Sequence, residues 1–182
     1  MSVLRFGCVC SLLTLAIGPA IRPSVALAQE QPAIRCDLGA PYDDNNPFAK
    51  ILRGEISRKA QVVFEDDHVL AFMPLEAAAP GHTLVIPKGR YRSLLDMSPE
   101  AMGQVLDVAR RVAIAQQRAL GATGFKISQN NGPGPQEVCH AHFHVIPLFN
   151  NRNTRPEDYR ATVPSAEQEA MAARLRAAMP VR

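Results

Sequence analysis

The stretch His140-Ala141-His142-Phe143-His144-Val145-Ile146-Pro147 puts an imidazole at every second position, with apolar side chains between them. Successive side chains of a β-strand point to opposite faces, so residues two apart share a face. Read as a strand, the stretch sets three imidazoles in one row and turns Ala141, Phe143 and Val145 the other way, against a core. The sequence holds only five histidines, so three at period two mark a chemical site. Imidazole is the side chain that attacks, carries a proton or binds a metal near neutral pH.

Working outward, the Gly/Pro-bearing loop Asn130 to Pro135 precedes the histidines, and Phe125 to Ser128 before it reads as another strand. Further upstream the period changes to that of a helix. Ser98 caps it, Pro99 and Glu100 open its first turn, and Met102, Val105, Leu106, Ala109, Val112 and Ala113 form its apolar stripe, which runs to Leu120-Gly121. Val62 to Phe64, Val69 to Phe72 and Thr83 to Ile86 read as three more strands. The turn Glu65-Asp66-Asp67-His68 joins the first two and leaves His68 in solvent. Asn46 before Pro47 predicts the cap of a short helix through Phe48, Ile51 and Leu52 that stops at Gly54. After the histidines, residues 150–163 read as an exposed tail, and Pro164 to Met179 as an amphipathic helix with Met171 and Leu175 on one side. Several antiparallel-looking strands around one long helix indicate an α+β fold. No internal repeat or second domain boundary appears between residues 47 and 149.

Residues 1–28 have the form of a secretory signal: a weakly basic start, the apolar run Phe6 to Ile17, and Ala26-Leu27-Ala28 before Gln29. A periplasmic or secreted protein is expected, with an N-terminal arm at 29–46 and no membrane span once the leader is removed. The leader holds two arginines and no acid, which leaves 18 basic against 17 acidic residues in the mature chain. That balance gives no overall attraction to nucleic acid or membrane. Cys8 and Cys10 leave with the signal, so Cys36 and Cys139 remain as one pair. In an oxidising compartment they form a disulfide; the alternative is two unrelated thiols.

Three readings of the histidines stand side by side. Three imidazoles and a water form a known catalytic zinc arrangement, although alternate positions on one strand give a row that closes around a metal only with help. A histidine-rich strand exposed to solvent is the bland alternative. In the third reading a neutral imidazole attacks phosphorus, forms a phosphohistidine and is released by water. That chemistry needs fixed donors for the phosphoryl oxygens, and the loop beginning at Asn130 supplies a place for them.

The motif His140-Ala-His142-Phe-His144-Val-Ile resembles that of the histidine triad (HIT) nucleotide hydrolases and transferases. Three further blocks share the resemblance: Glu65-Asp66-Asp67-His68-Val-Leu-Ala-Phe72, Pro80-Gly81-His82-Thr-Leu-Val-Ile-Pro-Lys88 and Asn130-Asn131-Gly132. They span about Pro47 to Phe149. The resemblance implies a five-stranded antiparallel sheet with one short and one long helix, often paired as a homodimer. It further implies hydrolysis of a P–N or phosphoanhydride bond in a nucleoside phosphoramidate or dinucleotide, without a cofactor. His142 would be the nucleophile, His140 and His144 would orient it and contact phosphate, and His82 would join their network. Asn130 would contact phosphate, Gln136 and Glu137 would lie on the approach to the triad, and a purine would rest among Phe48, Ile51, Phe72 and Leu75.

Four departures accompany the resemblance. Pro74 stands where relatives commonly carry the aspartate that holds the ribose hydroxyls, with Glu76 nearby as a substitute acceptor. Pro135 removes an N–H from the loop. Glu137 replaces a Ser or Thr hydroxyl. Asn46, Ala49 and Arg90 occupy the places of two cysteines and a histidine that bind a structural zinc in many bacterial relatives, so no metal is expected. These departures motivate a second reading, a HIT-fold protein that binds a nucleotide or other phosphorylated ligand without turnover.

Overall fold

The computed structural model describes residues 36–149, 161–162 and 164–181. The expected signal at 1–28, residues 29–35 of the expected arm and most of the expected tail therefore lie outside the described residues. A short helix α1 (Pro47–Leu52) is followed by strands β1 (Val62–Glu65), β2 (Val69–Phe72), β3 (Glu76–Ala77) and β4 (Thr83–Pro87). The long helix α2 (Pro99–Leu120) comes next, then β5 (Gly124–Gln129), β6 (Phe143–Leu148), β7 (Ala161–Thr162) and α3 (Ser165–Ala178). Five strands form one antiparallel sheet in the order β1-β2-β4-β6-β5. The α+β architecture follows the expectation, including both early helices and the one near the C-terminus. Among the described residues no helix is long and apolar enough to cross a membrane.

The helix ends are built from the expected side chains. Asn46 accepts the Ala49 N–H at 2.9 Å, Ser98 accepts the Ala101 N–H at 3.1 Å, and each precedes a proline that needs no N–H partner. Gly121 closes α2 at φ 71°, a left-handed cap that glycine adopts without a Cβ clash. The tail differs from expectation at its end. Ala161–Thr162 pairs with Glu76–Ala77 as a separate two-stranded ribbon, a pairing too short to leave a periodic signal.

Alternation gives the five-stranded sheet two unlike faces. Val63, Val69, Ala71, Val85, Phe143 and Val145 face α2 and α3 in the main core, where Val105, Val108, Val112 and Leu175 are fully buried. Gln116 of α2 donates from Nε2 to the carbonyls of Gly81 and Val145, both at 3.0 Å, fixing helix to sheet through its amide nitrogen. Leu70, Phe72, Leu84 and Ile86 point the other way, under Phe48, Ile51 and Leu52 of α1. The strand register places Phe72 opposite Leu84, Leu84 opposite His144, and His144 opposite Ser128. One row across β2, β4, β6 and β5 thus runs from hydrocarbon to polar chemistry.

Candidate active site

β6 begins at Phe143, so the histidine segment enters the sheet partway through. His142 and His144 stand with ring centroids 5.1 Å apart, and both line an apolar cleft of about 630 Å³ and a more polar one of about 230 Å³. His140 does not join them. The chain turns at this point, with His140 N–H donating to the Val138 carbonyl at 2.8 Å and Ala141 N–H to that of Tyr91 at 2.7 Å. The His140 ring is fully buried and lines neither cleft, which corrects the expectation of three imidazoles in one row and of a His140 side chain on phosphate. Its contribution to the site is its backbone carbonyl, which accepts the His142 Nδ1–H at 2.7 Å.

His82 completes the cluster. It lies two residues before Leu84, which opposes His144, and its ring stacks on that of His144 at 5.2 Å. The Ala78 N–H donates to His82 Nδ1 at 3.0 Å, so His82 carries its proton on Nε2 and donates it to His144 Nδ1 at 3.0 Å. His144 in turn holds its proton on Nε2, a buried atom with no hydrogen-bond partner among the described residues. His140 Nε2 donates to the Pro87 carbonyl at 2.9 Å, and Tyr42 Oη donates to its Nδ1 at 2.5 Å. Backbone groups at residues 78, 87 and 140 therefore set all four tautomers. The outcome is a lone pair on His142 Nε2 and an N–H on His144 Nε2, carried by rings whose centroids are 5.1 Å apart.

Burial keeps these rings neutral. Loss of hydration penalises the imidazolium, pushing His82 down to about 3 and His140 and His144 down to about 4, with neighbouring imidazoles adding to the effect. His142 is lowered by the same desolvation, opposed by its bond to the His140 carbonyl and by the charge of Glu137. A neutral imidazole has the lone pair that an attack on phosphorus requires.

The apolar cleft is walled by Phe48, Ile51, Phe72, Leu75 and Leu84, with Arg58, Glu76, Glu137 and Pro74 beside them. Phe48 and Phe72 do two jobs: they pack edge to face at 5.6 Å in the smaller core and present surface to the cleft, while Leu75 is 65% exposed. The polar cleft takes Lys126, Ser128, Asn130, Pro135 and Glu137 as its walls. Lys126 and Ser128 escaped the sequence reading, although their alternation with Ile127 places them on the face shared by Asn130 and His144. Gln136 corrects its expected role. Fully buried and turned away from both clefts, it accepts the Gly132 N–H at 3.0 Å and donates to the carbonyls of Arg92 (2.7 Å) and Val138 (3.0 Å). It fastens the loop, which needs glycine at position 132 for its φ of 80°. His68 is exposed in its turn.

The arm that carries Tyr42 is anchored at several points. Cys36 and Cys139 are joined in a disulfide, and Arg92 donates from Nε and Nη1 to the carbonyls of Asp37 (2.5 Å) and Pro41 (2.7 Å). Asn46, Ala49 and Arg90 do not make a zinc site: an amide capping α1, a methyl group, and a guanidinium paired with Asp44 at 2.6 Å. Among the described residues no group of three or more His, Cys, Asp or Glu is placed to hold a metal ion.

The HIT domain family model matches residues 55–151. The chain is 37% identical over 103 residues to the purine nucleoside phosphoramidase of Escherichia coli K12, a match covering 54% of this chain and 83% of the relative. Its fold superimposes on the crystal structure of a HIT-like protein from Bartonella henselae described as involved in cell-cycle regulation, with TM-score 0.71 and 40% identity over 77% of this chain and all of that one. A zinc-bound histidine triad protein from Mycobacterium smegmatis matches with TM-score 0.63 and 32% identity, over 72% of this chain and 90% of that one.

Proposed function

The chain belongs to the HIT domain family, and from that premise we propose that it is a nucleotide hydrolase working through a covalent nucleotidyl-His142 intermediate. A purine nucleoside phosphoramidate is the substrate that the phosphoramidase relative favours. One observation carries the proposal: His142 Nδ1–H is spent on the His140 carbonyl, so the lone pair of Nε2 belongs to a ring that lines the cleft. In the reaction, Nε2 attacks phosphorus and the P–N bond breaks. The leaving group departs with the electron pair of that bond and takes up a proton. Water then attacks phosphorus, freeing His142 and the nucleoside monophosphate. The purine rests among Phe48, Ile51, Phe72 and Leu75, and His144 Nε2–H and Asn130 receive the phosphoryl oxygens.

Export is part of the same proposal, supported by the disulfide, which persists in oxidising compartments. So is a homodimer. β5 lies at the sheet edge, where Phe125 is 53% and Ile127 36% exposed, apolar surface suited to a second copy. The sedimentation coefficient of the purified mature chain checks the dimer, and a monomer at micromolar concentration contradicts it.

Turnover of adenosine 5′-phosphoramidate by the mature protein tests the catalytic reading. The second reading, a binder without turnover, is favoured by Pro74 and Pro135. Tight calorimetric binding of adenosine monophosphate, with no hydrolysis of phosphoramidates, dinucleoside polyphosphates or nucleotidyl sulfates, would establish it instead.

A further inference from the structure

We propose that Tyr42 is a positioning residue for the nucleophile, delivered to the site by an arm that the Cys36–Cys139 bond ties to the histidine segment. Tyr42 lies outside the span matched by the family model, and its partner is 98 residues away. The proposal rests on His142 being the nucleophile.

A chain of contacts runs inward from the arm to His142. Arg92 holds the backbone of the arm at Asp37 and Pro41, Arg90 pairs with Asp44 and places its guanidinium 5.3 Å from the centre of the Tyr42 ring, and the disulfide fixes the start of the arm to the residue next to His140. Tyr42 thus meets His140 edge to face at 5.7 Å between centroids, with its hydroxyl donating to Nδ1. The other ring nitrogen of His140 donates to the Pro87 carbonyl. With both nitrogens held, His140 has one resting orientation, and so does the carbonyl that receives the His142 Nδ1–H. That last bond decides which nitrogen of His142 keeps the lone pair and where it points. Removing the tyrosine hydroxyl leaves a fully buried lone pair on His140 unpartnered, a loss that the residue relieves by turning. The disulfide and the hydroxyl act in series, since the first brings the second into place.

Three preparations test this: Tyr42→Phe, Cys36→Ser, and the double variant, each as the full mature chain. Tyr42→Phe keeps the ring and loses only the hydroxyl. Its kcat should fall about tenfold, the effect of losing roughly one buried hydrogen bond's worth of positioning, with KM within about twofold. Cys36→Ser should lower kcat by a similar factor, and the double variant by little more than either, because residues acting through one path are non-additive. A purely structural arm would lower Tm in all three and leave kcat alone, which would overturn the proposal. Nitrogen-15 spectra of the imidazoles supply a reading independent of turnover. The wild type should show His142 as a single Nδ1–H tautomer, and Tyr42→Phe a mixture. A His142 tautomer unchanged in Tyr42→Phe also overturns the proposal. A protein without turnover would retire the hydrolase reading and, with it, the kinetic role of Tyr42, whereas a His142 tautomer that still responds to Tyr42→Phe would leave Tyr42 as the residue that orients His142 in a binding site.

Discussion

Two adjacent residues, His142 and Phe143, belong to opposite faces of one sheet and obey different rules. Phe143 and Val145 enter a closed core with α2 and α3, where hydrocarbon and close packing decide everything. His142 and His144 reach a face that α1 only partly covers, and there each ring is defined by its hydrogen-bond partners. The lesson is that the closed face stabilises and the half-open face specifies. Substitutions on the two faces should therefore fail in different measurements.

The sharpest break of the comparison pairs those two positions. Phe143→Ala removes a buried aromatic ring and should cost about 3–5 kcal/mol in urea unfolding. His142→Ala should leave unfolding nearly unchanged and lower kcat/KM more than about 10³-fold, the scale of losing a nucleophile. Reduced stability without reduced activity at position 142 would merge the two faces and undo the distinction.

Acid probes the half-open face next. The folded chain holds His82 at about 3 and His140 and His144 at about 4, below the ordinary imidazole value of 6.5. Between those values the unfolded chain binds protons that the folded chain excludes, so stability rises with pH across the window. The full contribution is present above pH 6.5 and is lost as pH falls towards 4 and then 3. Chemical denaturation at pH 7 and pH 4.5 reads it, and equal midpoints would mean that these rings are already hydrated. The smallest expected effect belongs to Glu137, a carboxylate that lines both clefts. Glu137→Gln should lower KM about threefold by removing repulsion of phosphate, a change on the order of 0.7 kcal/mol. A fall in kcat instead would give the carboxylate a part in proton transfer.

How far the sequence reaches follows the same division. Period two along residues 142 to 147, the cap at Ser98 and the apolar stripe of α2 are local signals, and they led to the sheet, the long helix and the closed core. His140 looked equivalent to its neighbours because periodicity cannot register a turn at residues 138 to 141 that withdraws its ring. Gln136 looked like a ligand contact and proved a loop brace, since its partners at Arg92 and Gly132 depend on tertiary packing. Tyr42 gave no local signal at all. The disulfide that brings its arm home closes a separation of 103 residues, for which the chain-entropy account gives about 4–5 kcal/mol of constraint on the unfolded state. Site geometry of this kind is assembled from distant backbone carbonyls and amides, and no window of sequence contains it.

The central claim, that His142 Nε2 becomes covalently nucleotidylated, is open to one direct measurement: intact mass of acid-quenched protein after milliseconds with adenosine 5′-phosphoramidate. A transient species heavier by one adenylyl group is expected, mapped by peptide fragmentation to His142 and missing in His142→Ala. Substrate turning over in the wild type with no such adduct at any quench time, and at an undiminished rate in His142→Ala, would contradict it.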